Sequence, residues 1–190
     1  MEFAEAISGP VRFAVDRERC RASACHRAAA RQITGDQRRP IVASPLGRAR
    51  QTAEIIREHF AAAPEVQFDA RLRELSLGSW DGLTYSEIAA RCHGVFDRDG
   101  RHNWYFRAPD GERYDAFIAR LGEWLREWDS AHVLVVVTHG IVTRVLRGLY
   151  ADLPREVALM LPVPQDKIFR LSDGAIEELP VRPSPRITLN

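Results

Sequence analysis

Three short stretches of this 190-residue chain carry side chains suited to chemistry, and each stands where the chain changes direction. The first is Thr138-His139-Gly140. It follows an aliphatic run, Val133 to Val137, and precedes Ile141, Val142, Val145, Leu146 and Leu149 at helical spacing. The apolar period therefore changes from that of a strand covered on both faces to that of an amphipathic helix. In open α/β sheets such a corner, outside the carboxyl end of a strand, is where ligands bind, and a helix N-terminus there favours anions. His139 and the backbone of Gly140 are the candidates from this stretch.

The second stretch runs from Ile41 to about Ala62. Ile41 to Ala43 reads as a buried strand, Ser44 as a helix N-cap and Pro45 as the first helical residue, where a missing N–H is harmless. Leu46, Ala49, Ala53, Ile56 and Phe60 then form an apolar stripe. Arg48 leaves the first turn of this helix beside free backbone N–H groups, a combination that receives phosphate. The third stretch holds Glu74 between Leu72 and Leu75, ahead of the shaped loop Gly78-Ser79-Trp80-Asp81-Gly82. A partly desolvated glutamic acid keeps its proton to higher pH and can act as a general acid. Taken singly, Arg48 reads as a solvated arginine and Glu74 as a surface acid paired with an arginine. Only their meeting with His139 gives them chemistry.

The remaining segments supply the frame. Val11 to Val15 reads as a short strand and Ala22 to Ile33 as an alanine-rich helix. Thr84 to Cys92 reads as a helix followed by an irregular polar loop to residue 111, with Arg101, His102, Trp104 and Arg107; loops of this kind cover sites and select substrates. Glu112 to Trp128 is an amphipathic helix with Phe117, Leu121, Trp124, Leu125 and Trp128 inward. A short helix from Pro154 to Leu161 precedes Lys167 to Leu179, with Asp173-Gly174 as a hairpin turn. Residues 1–180 are expected to form one domain, with 1–39 atypical, and 181–190 a loose tail.

Composition narrows the classes of function. A hydrophobic share of 45% supports a sizeable core, and a net charge of +1 gives no pull toward nucleic acid or membrane. Residues 1–39 hold eight arginines against five acids, but without the aromatic interleaving of a nucleic-acid arm. Cys20, Cys25 and His26, with distant Cys92 and His93, lack the tight spacing of a structural zinc site. Three cysteines make no disulfide framework, and no apolar run or leader pattern points to a membrane, so a cytoplasmic setting is expected. Oligomeric state is open at this level.

Taken together, Ser44-Pro45-Leu46-Gly47-Arg48-Ala49-Arg50-Gln51-Thr52-Ala53, Leu72-Arg73-Glu74-Leu75 with Gly78 to Gly82, and Thr138-His139-Gly140 resemble the histidine phosphatase superfamily of phosphoglycerate mutase-like fold. Pro162-Val163-Pro164-Gln165-Asp166 is similar to its phosphatase-type members. The resemblance covers roughly residues 40 to 180. It implies a three-layer α/β/α sandwich with a mainly parallel sheet and phosphoryl transfer through a phosphohistidine. By that match Arg48 binds phosphate with His139 and Gly140, His139 also serves catalysis, and Glu74 protonates the leaving group. The implied partner is a phosphorylated small molecule, with no metal and no organic cofactor required.

The sequence departs from the family at one motif. Family members carry Arg-His-Gly, with the nucleophilic histidine, at the end of the first strand, whereas Val15 is followed by Asp16-Arg17-Glu18. Arginine cannot act as the nucleophile, and the two carboxylates would repel phosphate. His26, the one histidine of the N-terminal segment, has no glycine after it. Either the N-terminus is an altered version of an enzyme's, leaving phosphomonoester hydrolysis (or, less in keeping with the chain's length, mutase-type transfer) impaired, or the chain is a pseudophosphatase that binds a phosphorylated ligand.

Overall fold

The computed structural model describes residues 11–15 (backbone only), 39–97, 102–128, 133–164 and 167–180. Six strands form one sheet: β1 (Val11–Val15), β2 (Ile41–Ala43), β3 (Val66–Phe68), β4 (Leu134–Thr138), β5 (Lys167–Ser172) and β6 (Ala175–Pro180). Their spatial order is β3-β2-β4-β1-β5-β6. The first four run parallel, β5 lies antiparallel to β1, and β6 closes the edge as a hairpin partner of β5. Asp173 and Gly174 at that hairpin both have positive φ, 51° and 74°, as a two-residue turn matched to strand twist requires.

Among the described residues the helices are α1 (Gly47–Arg57), α2 (Tyr85–Arg91), α3 (Tyr114–Glu127), α4 (Gly140–Tyr150) and α5 (Arg155–Met160). Strand alternation sorts the core into two layers. Ile41, Ala43, Val135, Val137 and Ile168 point to one face and pack against Ala49, Ala53 and Ile56 of α1. Val42, Leu134, Val136, Phe169 and Leu171 point to the other, against Phe117, Leu121, Trp124 and Leu125 of α3 and Val142, Val145 and Leu146 of α4. This is the expected three-layer α/β/α arrangement with a mainly parallel sheet. The side chains of β4 are buried throughout, which is why its sequence is continuously apolar rather than alternating.

Several expected boundaries shift, each for a local reason. Ser44 does not cap α1. Its amide still donates to the Val137 carbonyl (2.9 Å), so it belongs to the sheet edge, and the residue before the helix is Leu46, with no side-chain cap. The helix ends at Arg57 rather than near Ala62, because residues 58–60 wind a tight turn that brings Phe60 against the core. Arg57 Nε then holds the Pro64 carbonyl (2.9 Å) as the chain returns to β3. The polar loop before residue 111 contains a 3₁₀ turn, Trp104–Arg107, that buries Tyr105 and Phe106. Arg101, the zinc candidates Cys20, Cys25 and His26, the expected helix of residues 22–33 and the tail after residue 180 lie outside the described residues.

Candidate functional site

The sheet brings two of the three stretches to one edge. β2 and β4 are parallel neighbours with Ala43 opposite Val137, so the chain leaves both strands on the same side, into Ser44 and into Thr138-His139. The third stretch is tied to that edge by Thr138, whose Oγ1 donates to the Leu72 carbonyl at 2.8 Å. Glu74 follows two residues later. Arg48, Glu74 and His139, 26 and 65 residues apart in sequence, thus stand at one corner of the fold.

His139 is buried at the start of α4, and its Nε2 lies 2.7 Å from Ser44 Oγ. Burial first, then the charges of Arg48 and Arg120, hold its pKa down to about 3. The imidazole is therefore neutral across the physiological range and acts as a positioned hydrogen-bonding group rather than as a cation. Glu74 behaves in the opposite sense for the same reason: burial raises its pKa. The amide of Leu75, the charge of Arg48 and the amides of Ile141 and Val142 at the first turn of α4 act against that rise. The N-terminal amides of α4 thus face a carboxyl group of the chain itself. Gly140 sits beside them, where an added Cβ would come within 3.2 Å of Val163 Cγ1. The Pro162-Val163 segment is itself held by Arg147, a buried guanidinium that donates to the Pro162 carbonyl and stacks on Phe169.

A cleft of about 630 Å³ opens at this corner, lined by Leu46, Arg48, Arg73, Glu74, Leu75, Ser76, Asp81, Glu112 and Arg120. Its size is that of a small-molecule site. Two residues that order this corner carry no signal in the local sequence. Ser44 reads as a helix cap and instead orients His139 from 95 residues away. Arg120, on α3, donates to the carbonyls of Arg71 and Arg73 and grips Glu112 through two bonds, 2.6 and 2.9 Å. It fixes the segment that presents Glu74. The described residues of the loop 94–111 are not part of this lining; His102 and Asn103 border a separate hollow of about 360 Å³ against Arg155, Glu156, Leu159 and Met160 of α5. Among the described residues no group of three histidine, cysteine or acidic side chains is placed to hold a metal ion, and no helix is long and apolar enough to cross a membrane.

Arg48 and Glu74 line this cleft, whereas His139, buried at the same corner, is not part of its lining. An arginine, a neutral histidine and a desolvated carboxylic acid at one corner can together bind a dianionic oxyanion and deliver a proton to it. Known proteins similar to this chain include phosphatases. Fructose-2,6-bisphosphatase of Saccharomyces cerevisiae is 25% identical over 145 residues, 76% of this chain and 31% of that protein. The chain spans about a third or less of the curated relatives it matches. YhfR of Bacillus stearothermophilus superposes with a TM-score of 0.72 at 23% identity, covering 91% of this chain and 96% of that one. The mycobacterial glucosyl-3-phosphoglycerate phosphatase complexed with VO3 superposes with a TM-score of 0.64 at 25% identity, covering 90% and 96%. The profile described as histidine phosphatase superfamily (branch 1) matches residues 19–172, and with the strand-edge corner that sets Arg48, Glu74 and His139 together this chain belongs to that superfamily.

Proposed function

We propose that the chain is a phosphomonoester phosphatase of impaired turnover: it binds the phosphoryl group of a small phosphorylated ligand and stabilises its transfer, but lacks the family's nucleophile. Arg48, His139 and the Gly140 backbone hold the phosphoryl oxygens. In the residual reaction water attacks phosphorus directly, and the bond to the leaving oxygen breaks as Glu74 gives that oxygen its proton. The proton lost by the water passes to the orthophosphate formed or to solvent. The observation that carries this reading is the convergence of Arg48 and His139 on neighbouring parallel strand ends beside a carboxylic acid with a raised pKa. Well-placed donors of this kind contribute roughly 3 kcal/mol each to transition-state stabilisation. The fructose-2,6-bisphosphatase relative and the phosphatase complexed with VO3 support a small phosphorylated ligand.

The impairment follows from β1. That strand ends at Val15, in register with Thr138, the residue before His139. The family's nucleophilic histidine belongs immediately after this strand, and here the sequence continues Asp16-Arg17-Glu18. The same observation favours a second reading, a pseudophosphatase that binds a phosphorylated small molecule or protein without turnover.

Calorimetric titration with orthophosphate and turnover of p-nitrophenyl phosphate separate the possibilities. The expected result is measurable phosphate affinity that falls about tenfold or more in Arg48→Ala, with very slow hydrolysis by the wild type. Intact affinity with no turnover selects the pseudophosphatase. A robust rate abolished by His26→Ala identifies a relocated nucleophile, and equal phosphate affinity in wild type and Arg48→Ala overturns the site itself.

A further inference from the structure

The cleft extends well beyond a phosphoryl group, and its lining carries three arginines and three acids. The acids are already engaged. Glu112 is held in the two-bond fork of Arg120. Asp81 accepts from Ser76 Oγ and from the Leu77 amide, both at 3.2 Å. Glu74 accepts from backbone amides, and its burial favours the neutral form. Arg73 stands apart: no carboxylate of the described residues lies within ion-pair distance of it.

Its mounting is rigid although its side chain is exposed. The carbonyl of Leu72 is held by Thr138 Oγ1 at 2.8 Å, and the carbonyl of Arg73 itself by Arg120 Nη2 at 2.9 Å. The Arg73 Nε donates to the Ala70 carbonyl at 3.1 Å, which orients the guanidinium and leaves its two terminal nitrogens for a ligand. A planar guanidinium presented in this way suits the two oxygens of a carboxylate or phosphate. Arg120 cannot take that role, because its fork is closed on Glu112.

We propose that Arg73 forms a second anion subsite next to the phosphoryl pocket, so that the preferred ligand is a phosphomonoester bearing a second anionic group, carboxylate or phosphate, a few bonds from the first. The inference deepens the phosphate-binding reading and rests on it.

Two matched ligand pairs test it by calorimetric titration of the full chain, without requiring turnover. Glycerol 3-phosphate against 3-phosphoglycerate adds a carboxylate; fructose 6-phosphate against fructose 1,6-bisphosphate adds a second phosphate. The expected result is about tenfold tighter binding of the doubly anionic member in at least one pair, the magnitude of one charge-assisted contact at a half-open site. The pair that gains tells which anion the subsite takes. In Arg73→Gln that ratio falls to about one, and in Arg73→Lys part of it returns, while the thermal unfolding midpoint of both variants stays at the wild-type value. Equal affinities within both pairs overturn the subsite, as does a ratio that survives in Arg73→Gln. Failure of every ligand to bind, orthophosphate included, overturns the phosphate-binding reading instead.

Discussion

Replacing Arg120 with methionine would release the segment that carries Glu74. The guanidinium makes four contacts: two to the Glu112 carboxylate and one each to the carbonyls of Arg71 and Arg73. Its carbon also lies 4.6 Å from the centre of the Phe117 ring. The side chains of Arg120 and Glu112 are only 18% and 20% exposed, so methionine leaves a mostly desolvated carboxylate and two carbonyls without their donor. Removing one partner of a fully buried ion pair costs about 3–5 kcal/mol. Residual exposure and the methionine stem, which keeps the ring contact, reduce this to roughly 2–3 kcal/mol. Urea unfolding at neutral pH measures it directly. Adding Glu112→Leu should recover a substantial part, because an apolar pair no longer strands a charge, and the cycle should return a coupling of about 1.5 kcal/mol or more. Hydrogen exchange of the amides in residues 72–76 should rise in the single variant. A loss below about 0.5 kcal/mol, or additive effects in the cycle, would refute the claim that this one side chain holds the Glu74 segment in place.

Two further outcomes follow from the same geometry. The His139 pKa lies at about 3 in the fold against an ordinary 6.5, so between those values the unfolded chain binds the proton more readily and stability falls as pH is lowered. His139→Gln lacks that titration; the difference between the two proteins in urea-derived stability should shift by roughly 2–3 kcal/mol between about pH 7 and about pH 4.5, and parallel curves would contradict it. At Gly148, on the buried face of α4, an added Cβ would lie 2.4 Å from the Ala158 Cβ of α5. Gly148→Ala should therefore lose about 2 kcal/mol by overpacking, seen as a lowered thermal midpoint and restored by Ala158→Gly. An unchanged midpoint in the single variant would mean that the two helices are not in fixed contact.

What the sequence made legible was whatever rests on neighbouring residues. The strand Ile41–Ala43 has the expected bounds, and β4 is displaced by a single residue from the run Val133 to Val137, because β-branched and aliphatic runs declare a covered strand. Thr84 and Glu87 form a full capping box at the start of α2, a signal contained within four residues. The contacts that finish the site have no such signature. Ser44 reaches His139 across 95 residues, Thr138 reaches Leu72 across 66, and Arg120 reaches the Arg71 and Arg73 carbonyls across 49 and 47. Ser44 was open to misreading for a particular reason: a serine before proline fits a helix cap by type, and only the parallel pairing of β2 with β4 turns its hydroxyl toward an imidazole.

The proposed site is distributed along the sheet so that binding could persist without turnover. Arg48, Glu74 and His139 hang on β2, β4, α1 and α4, tied together by Ser44, Thr138 and Arg120. Those ties join residues of the described segments 44, 72–73, 120 and 138–139. The strand itself contributes backbone pairing, five positions with β4 and four with β5, and that pairing is indifferent to which side chains follow Val15. In the proposed reading, Asp16-Arg17-Glu18 in place of Arg-His-Gly removes the covalent partner while the sheet register between β1, β4 and β5 is kept. With the N-terminal amides of α4 facing the Glu74 carboxyl, the positive charge that a dianion needs must come from guanidinium groups. On the proposed reading, phosphate affinity is expected to fall more on loss of an arginine than on any change at the helix terminus.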